Sequence, residues 1–460
     1  MSRFPSMQAK APDVMSGAYR AVWRWHFYAG VLVMPFLMLL ALTGGLYLFK
    51  DEIDQFANRR MIEVTPAATQ AAPGDWIASA AQAGGGRAAS LTLPAAPDQA
   101  VRLRVDRPDG SQKTVFVDPH TARVTGVIDQ GGVTETIKKL HSLSLFGGTT
   151  GKALNILVEI VAGWTIVLCA TGLYLWWPRR RQGAVLILHE TDVRRRPFWR
   201  DLHALVGLYV GGIILFLAVT GMPWSAVWGD QVMGAVKTSG WGRPPAPVAG
   251  AWQRAEHHDH PAGAGWTMEG VVLPSPHHDR QDLTAVVAAA EARRLPRPYA
   301  VSIPAQPGTA YTVTAQVRRV QDSRTLYIDP ARGAVLADIG FDRFGAGAKA
   351  IEWGVYTHQG TQFGQINRLI MLAGCIGVWL LGISGLMMWW KRRPPSLTRA
   401  RPHTRLGAPT APPGPRVRFA VLGIVIPLCI LYPLTGMSLV TVLLLDFAAR
   451  RLMRPRPVVS

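Results

Sequence analysis

The stretch HFYAGVLVMPFLMLLALTGGLYLF, residues 26–49, decides the fold of this chain, because it holds no acidic or basic side chain apart from its first histidine. A helix needs about 20 apolar residues to cross the hydrocarbon core of a bilayer. We find four further stretches that meet this requirement, at 154–177, 204–228, 366–390 and 418–446. The sequence therefore predicts an α-helical integral membrane protein, with a four-helix core and a fifth helix.

The charges of the chain are arranged around these spans. Hydrophobic residues make up 49% of the 460 residues, and the formal net charge is +20. Many of the arginines lie in two loops next to spans, 178–201 and 391–417. Because basic residues flank membrane helices on the cytoplasmic side, both loops and the N-terminal residues 1–23 are predicted to be cytoplasmic. Arginines placed beside spans indicate membrane lipid rather than nucleic acid as the partner.

The same rule predicts a location for the two long segments between the spans. Segments 50–152 and 229–365 mix both signs of charge, which predicts that they lie in the periplasm of a bacterial inner-membrane protein. No small-residue cleavage site follows the first span, so we expect a retained anchor rather than a signal peptide. The basic tail within 418–460 does not fit this topology, because five spans would place it outside.

The chain contains an internal repeat. Two spans begin with a histidine that is followed by a glycine four residues later and by a Thr-Gly pair at the seventeenth and eighteenth positions. The members are His26, Gly30, Thr43 and Gly44 in the first copy, and His203, Gly207, Thr220 and Gly221 in the second. Such agreement in order and spacing predicts two repeated units.

The repeat continues beyond these spans. The stretches TVFVDPHTARVTG (114–126) and TLYIDPARGAVLA (325–337) each predict a β-hairpin. A second histidine follows in each copy, in KLHSLSLFG (139–147) and YTHQGTQFG (356–364), and TGLYLWWPRR and SGLMMWWKRR close the spans. Residues 24–177 and 202–390 are thus predicted to be parallel repeats. Residues 418–460, the fifth span and tail, lie outside them.

The four repeated histidines are candidate ligands. A single histidine at a span end often serves only as an interfacial residue, but ionisable groups shared by two copies at membrane depth indicate function. At about 1.5 Å per residue, the 18 residues from His26 to Gly44 cover roughly 27 Å, so His26 and His141 cannot readily bind one metal. Symmetry therefore pairs His26 with His203 on the cytoplasmic side, and His141 with His358 on the outer side.

Two histidines suit one kind of metal centre. A structural zinc site needs four ligands, whereas two imidazoles complete the coordination of a haem iron. The chain has no CxxCH motif, so such a haem is bound non-covalently. Gly30 and Gly207 would leave room for the macrocycle. Arg24 and Arg200 are candidate partners of its propionates, with anchoring at the membrane surface as the alternative.

The motifs WHFYAGVL, TGGLYLF, FVDPHTARVTG and KLHSL, with their second-copy counterparts, resemble the PepSY-associated transmembrane family over about residues 18–395. This resemblance implies two b-type haems and small α/β PepSY-like modules in the periplasm. For the siderophore reductases of the family it also implies electron transfer to a ferric chelate.

Three functions were compared. We favour a di-haem b reductase that passes electrons across the inner membrane to a periplasmic ferric siderophore or another Fe(III) chelate. No strand–GxGxxG–helix unit is visible, which leaves a quinol or a cytoplasmic flavoprotein as donor. The alternative is a haem-free PepSY binding or regulatory module. A transporter is disfavoured because acidic residues within the spans are few, Glu159 being the main one. The stretch EHHDHP (256–261), together with His277-His278, is interpreted as a solvated linker, with metal binding as the alternative.

Overall fold

The computed structural model of the chain describes residues 14–129, 131–145, 148–180, 186–242, 283–304, 309–329, 333–391, 423, 426–427 and 430–452. The stretch EHHDHP, the Phe146-Gly147 pair and the loop 392–417 lie outside the described residues. So do the last residues of the basic tail.

Within the described parts of the chain, four helices are long and apolar enough to cross a membrane, and they match the first four predicted spans. These helices are α1 (Val14–Tyr47), α5 (Gly148–Arg180), α6 (Arg196–Gly221) and α10 (Gly364–Trp390). The shorter helices are α2 (Lys50–Ile62), α3 (Pro73–Gly84), α4 (Gly132–His141), α7 (Trp228–Thr238), α8 (Leu283–Ala292), α9 (Ala346–His358) and α11 (Pro433–Leu452). The chain is therefore a helical membrane protein.

The predicted fifth stretch, 418–446, contains most of helix α11, which runs from Pro433 to Leu452. Residues 430–431 are helical, but Tyr432 interrupts the helix and Pro433 begins α11. Proline has no N–H to continue a preceding helix, whereas the first position of a new helix accepts it. Among the described residues the apolar part of α11, Pro433–Val442, is shorter than the four spans.

The chain divides into two compact units, which are described separately. The first unit takes in Met1–Leu42, Ser142–Gly229 and Leu372–Ser460. Its four long helices share a cluster of side chains that includes Ala41, Cys169, Ile214 and Val378. Such all-round apolar helices bury some side chains against one another and leave the rest for lipid.

Helix α11 packs on the same unit. Leu439 lies in a buried cluster with Val33 of α1 and Trp164 of α5. The Trp164 Nε1–H donates a hydrogen bond to Ser438 Oγ at 2.9 Å. Trp379 of α10 likewise donates its Nε1–H to the backbone carbonyl of Met38 in α1, at 3.1 Å. Both tryptophans thus hold helices together.

The second unit takes in Thr43–His141 and Asp230–Met371. Its eight strands are β1 (Arg87–Leu93), β2 (Val101–Asp106), β3 (Gln112–Val117), β4 (Val124–Asp129), β5 (Tyr299–Ser302), β6 (Tyr311–Ala315), β7 (Arg324–Ile328) and β8 (Val335–Gly340). They form one sheet in the order β4-β3-β2-β1-β5-β6-β7-β8, and every neighbouring pair is antiparallel. The strands of the two segments therefore meet at β1 and β5, instead of forming two separate sheets.

One face of this sheet is covered by α3 and α8. Trp76 and Ala80 of α3 pack with Val286 and Ala290 of α8 against the buried strand residues. Burial alternates along β2, as expected for a strand with one face on a core. Both predicted hairpins are present, as β3–β4 and β7–β8.

Candidate functional site

The structure brings His26 of α1 and His203 of α6 together inside the first unit. Their ring centroids lie 6.3 Å apart and the ring planes stand at 87°. Two imidazoles on opposite sides of one metal ion have centroids about 6 Å apart, because each nitrogen binds at about 2 Å and lies roughly 1 Å from its ring centre. The observed separation is therefore compatible with both imidazoles binding one metal ion.

A hydroxyl group of α5 fixes the proton of His26. Thr171 Oγ1 lies 2.9 Å from His26 Nδ1. The same hydroxyl donates its only proton to the carbonyl oxygen of Val167 at 2.7 Å. Thr171 must therefore accept from His26, so Nδ1 carries the ring proton and Nε2 keeps the lone pair that a metal needs.

His203 is held in the same way by α10. Its Nδ1 lies 3.0 Å from Ser384 Oγ and 3.2 Å from the carbonyl oxygen of Leu381. A carbonyl oxygen can only accept, and Ser384 itself donates to Leu381. The ring proton of His203 is thus also on Nδ1, which leaves Nε2 as the ligand atom.

A glycine follows each of these hydroxyl residues and lies next to the histidine ring. A Cβ atom on Gly172 would lie 3.3 Å from His26 Cε1, and one on Gly385 would lie 3.8 Å from His203 Cε1. We call Thr171-Gly172 and Ser384-Gly385 the hydroxyl–glycine pairs. In each pair the hydroxyl orients the ring. At Gly172 the missing side chain also lets the ring approach the helix, whereas 3.8 Å at Gly385 is an ordinary van der Waals distance.

His141 meets a third hydroxyl–glycine pair, within the second unit. Its Nδ1 lies 3.0 Å from Thr43 Oγ1, and a Cβ atom on Gly44 would lie only 3.0 Å from its Cε1. His141 is the last residue of α4. The position of Thr43 and Gly44 in the repeat is thus also a contact position for a histidine.

His358 ends α9 in the second unit, as His141 ends α4. A basic side chain at this end of a helix faces the negative end of the helix dipole. His141 and His358 therefore each occupy the last position of a helix.

The two repeated glycines near the first pair have different surroundings. A Cβ atom on Gly30 would meet no described atom within 4 Å, and one on Gly207 would touch only Leu381 Cδ2 at 3.8 Å. The space beside Gly30 is therefore open among the described residues, whereas a Cβ at Gly207 would contact a neighbouring helix.

The two arginines near the pair are engaged by their own helices. The Arg24 guanidinium lies 5.3 Å from the centre of the Tyr28 ring. Arg200 forms a 2.8 Å ion pair with Asp201, a buried carboxylate on the next residue. Arg200 is thus paired with a carboxylate of its own helix, and Arg24 lies two residues before His26 in the sequence.

Glu159, the acidic residue singled out in the spans, has a structural partner. Its carboxylate is only 1% exposed and accepts hydrogen bonds from the backbone N–H groups of Val227 and Trp228. Helix α7 begins at Trp228. Glu159 therefore caps the N-terminus of α7, where a negative charge is stabilised.

Among the described residues, no group of three or more His, Cys, Asp and Glu side chains is placed to hold a metal ion. The hydroxyl–glycine pairs of the second and fourth spans were the part of the site that sequence reasoning missed. The signal was present, because TG and SG open the similar stretches that close the two copies. Their partners were not predictable, since the pairs lie far from their histidines along the chain.

The comparison with protein families agrees with these elements. The family model of the PepSY-associated TM region matches residues 23–392, and this range includes the four repeated histidines, His26, His141, His203 and His358. The chain belongs to this family. The PepSY-associated match ends before α11, which is thus an addition beyond the family region. A comparison with curated proteins found no match.

Proposed function

We propose that this chain is a di-haem b reductase of the bacterial inner membrane. It would take electrons from a quinol or a cytoplasmic flavoprotein and deliver them to a periplasmic ferric siderophore or another Fe(III) chelate. Each transferred electron reduces one iron from Fe(III) to Fe(II), which oxygen-rich chelates hold less tightly. The observation that carries the proposal is the 6.3 Å approach of His26 and His203 with both protons held on Nδ1.

The residues of the first pair fit a haem iron better than other ligands. Both rings hydrogen-bond through Nδ1, so both can offer Nε2 to one ion from two different helices. Two nitrogen ligands alone make a poor zinc site, whereas haem supplies the remaining four ligands and a one-electron redox couple. The space beside Gly30 suits a flat group next to the ligand helix.

The surrounding side chains would orient the ligands and exclude water. Thr171 and Ser384 fix the tautomer of each ring, which also raises its basicity as a ligand. The neighbouring apolar side chains of α1, α5, α6 and α10 keep the site dry, and a low dielectric strengthens every charge interaction within it. Arg24 offers a positive charge to an acidic group of the cofactor.

His141 and His358 would hold the second haem. The support is that His141 has its own hydroxyl–glycine pair, Thr43-Gly44, and that each histidine is the last residue of a helix. In the proposed topology, the N-terminus is cytoplasmic and the eight-stranded sheet is periplasmic. The first pair then receives electrons and the second pair releases them to the chelate.

The absorption spectrum of the purified protein tests this proposal. After expression with ample haem, we expect a Soret band, a sharp α-band on reduction, and two haems per chain by pyridine haemochrome. His26→Ala and His203→Ala should each remove the same haem, while His141→Ala and His358→Ala remove the other. His189→Ala is the control, because that histidine lies on an exposed loop. A protein without a Soret band would refute the reductase and favour a haem-free PepSY binding module.

Electron delivery has a separate test. Protein reduced without oxygen should be reoxidised by ferric siderophores, with one Fe(II) appearing in a ferrozine assay for each electron lost. A reduced protein that ferric chelates leave unchanged would refute the proposed acceptor while keeping the haem assignment.

A further inference from the structure

The turn that follows His358 has a defined structure. Gly360 N–H donates to Thr357 O, and Thr361 N–H donates to Tyr356 O, both at 3.0 Å. Gly360 has a φ of +74°, a left-handed conformation that glycine adopts without strain. These two hydrogen bonds form a Schellman motif, which places His358 in the final turn of a closed helix end.

A buried asparagine of the next helix forms a hydrogen bond to the C-terminal end of α9. Asn367 of α10 is 3% exposed, and its Nδ2 donates to Thr357 O at 3.0 Å. The accepting carbonyl belongs to the residue just before His358. Asn367 Oδ1 also lies 3.4 Å from the N–H of Phe363. One side chain therefore connects the end of α9 with the turn that leads into α10.

A buried glutamine connects the same turn to the sheet. Gln362 is 3% exposed, and its Oε1 accepts the backbone N–H of Val320 at 2.9 Å. Its Nε2 donates to Gln321 Oε1 at 2.8 Å. Val320 begins a short 3-10 turn in the connection between β6 and β7. The His358 turn is thus hydrogen-bonded to a loop of the eight-stranded sheet.

The first copy contains a related arrangement. Two residues after His141, Leu143 has a φ of +52°, as Gly360 has two residues after His358. Asn155 of α5 donates from Nδ2 to Ser142 O at 3.1 Å. In both copies an asparagine of the following membrane helix thus reaches back to a carbonyl next to the histidine. This recurrence favours a role linked to the histidines over chance packing.

We propose that Gln362 and Asn367 are positioning residues for His358. Together they join the end of α9, the turn and the β6–β7 connection, so that the backbone carrying His358 has one position relative to the sheet. A change in the β6–β7 connection would then reach the ligand histidine through Gln362. The inference rests on the proposed function, because His358 has a ligand role only there.

The test is the reduction midpoint of the haem assigned to His141 and His358, measured on the full chain in nanodiscs. Gln362→Leu and Asn367→Leu should each shift this midpoint by an amount that corresponds to at least a threefold change in the equilibrium constant for reduction of that haem. Each variant should also shift the low-spin EPR signal of the same haem and leave both properties of the other haem unchanged. Asn58→Leu is the matched control. Asn58 is a buried amide of the same unit that bonds to Asp54 instead.

The outcomes separate this inference from the proposed function. A wild-type protein without haem refutes the function itself. A loaded wild-type protein whose variants lose thermal stability but keep both midpoints and EPR signals overturns only the positioning role. If Gln362→Leu yields no folded protein, Gln321→Ala replaces it, because that change removes only the acceptor of the Gln362 amide. A smaller shift in Gln321→Ala supports the inference, and an unchanged midpoint contradicts it.

Discussion

The ring of His26 stands almost perpendicular to the ring of His203, at 87° and with 6.3 Å between the centroids. Each ring is fixed by a hydrogen bond to a different helix, α5 for His26 and α10 for His203. Residues of four helices therefore determine how the two histidine rings are oriented. The arrangement depends on the hydroxyl groups as much as on the histidines.

We predict that Thr171→Val weakens haem binding at the His26 site. Valine keeps the shape of threonine but leaves the His26 Nδ1–H without an acceptor, which costs about 1–3 kcal/mol. Loss of such an orienting partner typically lowers metal affinity about 10- to 100-fold. Titration of apo-protein with haem measures the affinity, and Thr171→Ser should restore it.

Thr165→Val is the control for this prediction. Thr165 is a buried threonine of the same helix whose hydroxyl bonds only to the Val161 carbonyl. Equal losses in Thr171→Val and Thr165→Val would show that the effect belongs to α5 rather than to His26.

Gly30→Leu should displace the cofactor without unfolding the protein. Nothing described lies within 4 Å of a Cβ at this position, so the added side chain enters open space. If a macrocycle occupies that space, leucine competes with it directly, and we expect at least half of the haem at that site to be lost. Gly212→Leu, which also enters open space on α6, should retain full haem. Equal haem content in both variants would place the macrocycle elsewhere.

The four spans were predictable because each is a long run of apolar residues. The predicted stretches 154–177 and 366–390 agree closely with Ala153–Trp177 and Gly364–Trp390. The sequence analysis paired His26 with His203 because both lie at the same position of a repeated spacing, and the two rings do lie close together. Periodic hydrophobicity and repeated spacing are local properties, and the sequence records them directly.

The contacts around the histidines were not predictable in the same way. Thr171 lies 145 positions after His26, and which hydroxyl meets which ring depends on the register between α1 and α5. Likewise, β1 and β5 pair although they belong to two different segments of the chain. A free edge can pair with any suitable strand, so sequence patterns alone do not fix its partner.

We predict that Glu159→Ala destabilises the protein by about 1–3 kcal/mol, because two partly buried N–H groups lose their side-chain acceptor. Glu159→Gln keeps an acceptor oxygen and should cost less than half as much. Thermal unfolding in detergent measures both changes. An unchanged midpoint in Glu159→Ala would argue that the carboxylate is not a helix cap, and would reopen the transporter hypothesis.

The turn between β3 and β4 should respond to pH through His120. Its Nε2 lies 3.1 Å from Pro97 O and its Nδ1 lies 3.0 Å from Thr69 O. Both acceptors are carbonyl oxygens, so only the doubly protonated ring satisfies both. The carbonyls of Pro97 and Thr69 therefore raise the pKa of His120 above its ordinary value of 6.5, and nearby Asp118 adds to the effect.

The sign of the pH effect follows from this raised pKa. The folded state binds the proton more tightly than the unfolded state, so the stabilisation is complete below about pH 6 and is lost as pH rises through the folded pKa. Asp118 contributes in a separate range. Burial raises the pKa of Asp118, but hydrogen bonds from the backbone N–H of His120 and from the Thr121 hydroxyl outweigh this effect and lower it. The stabilisation by Asp118 is therefore lost only in acid.

We expect the wild-type protein to have a higher melting temperature than His120→Gln near pH 6, and this difference to disappear by about pH 9. A difference that stays constant across this range would show that His120 does not bind the turn as an imidazolium.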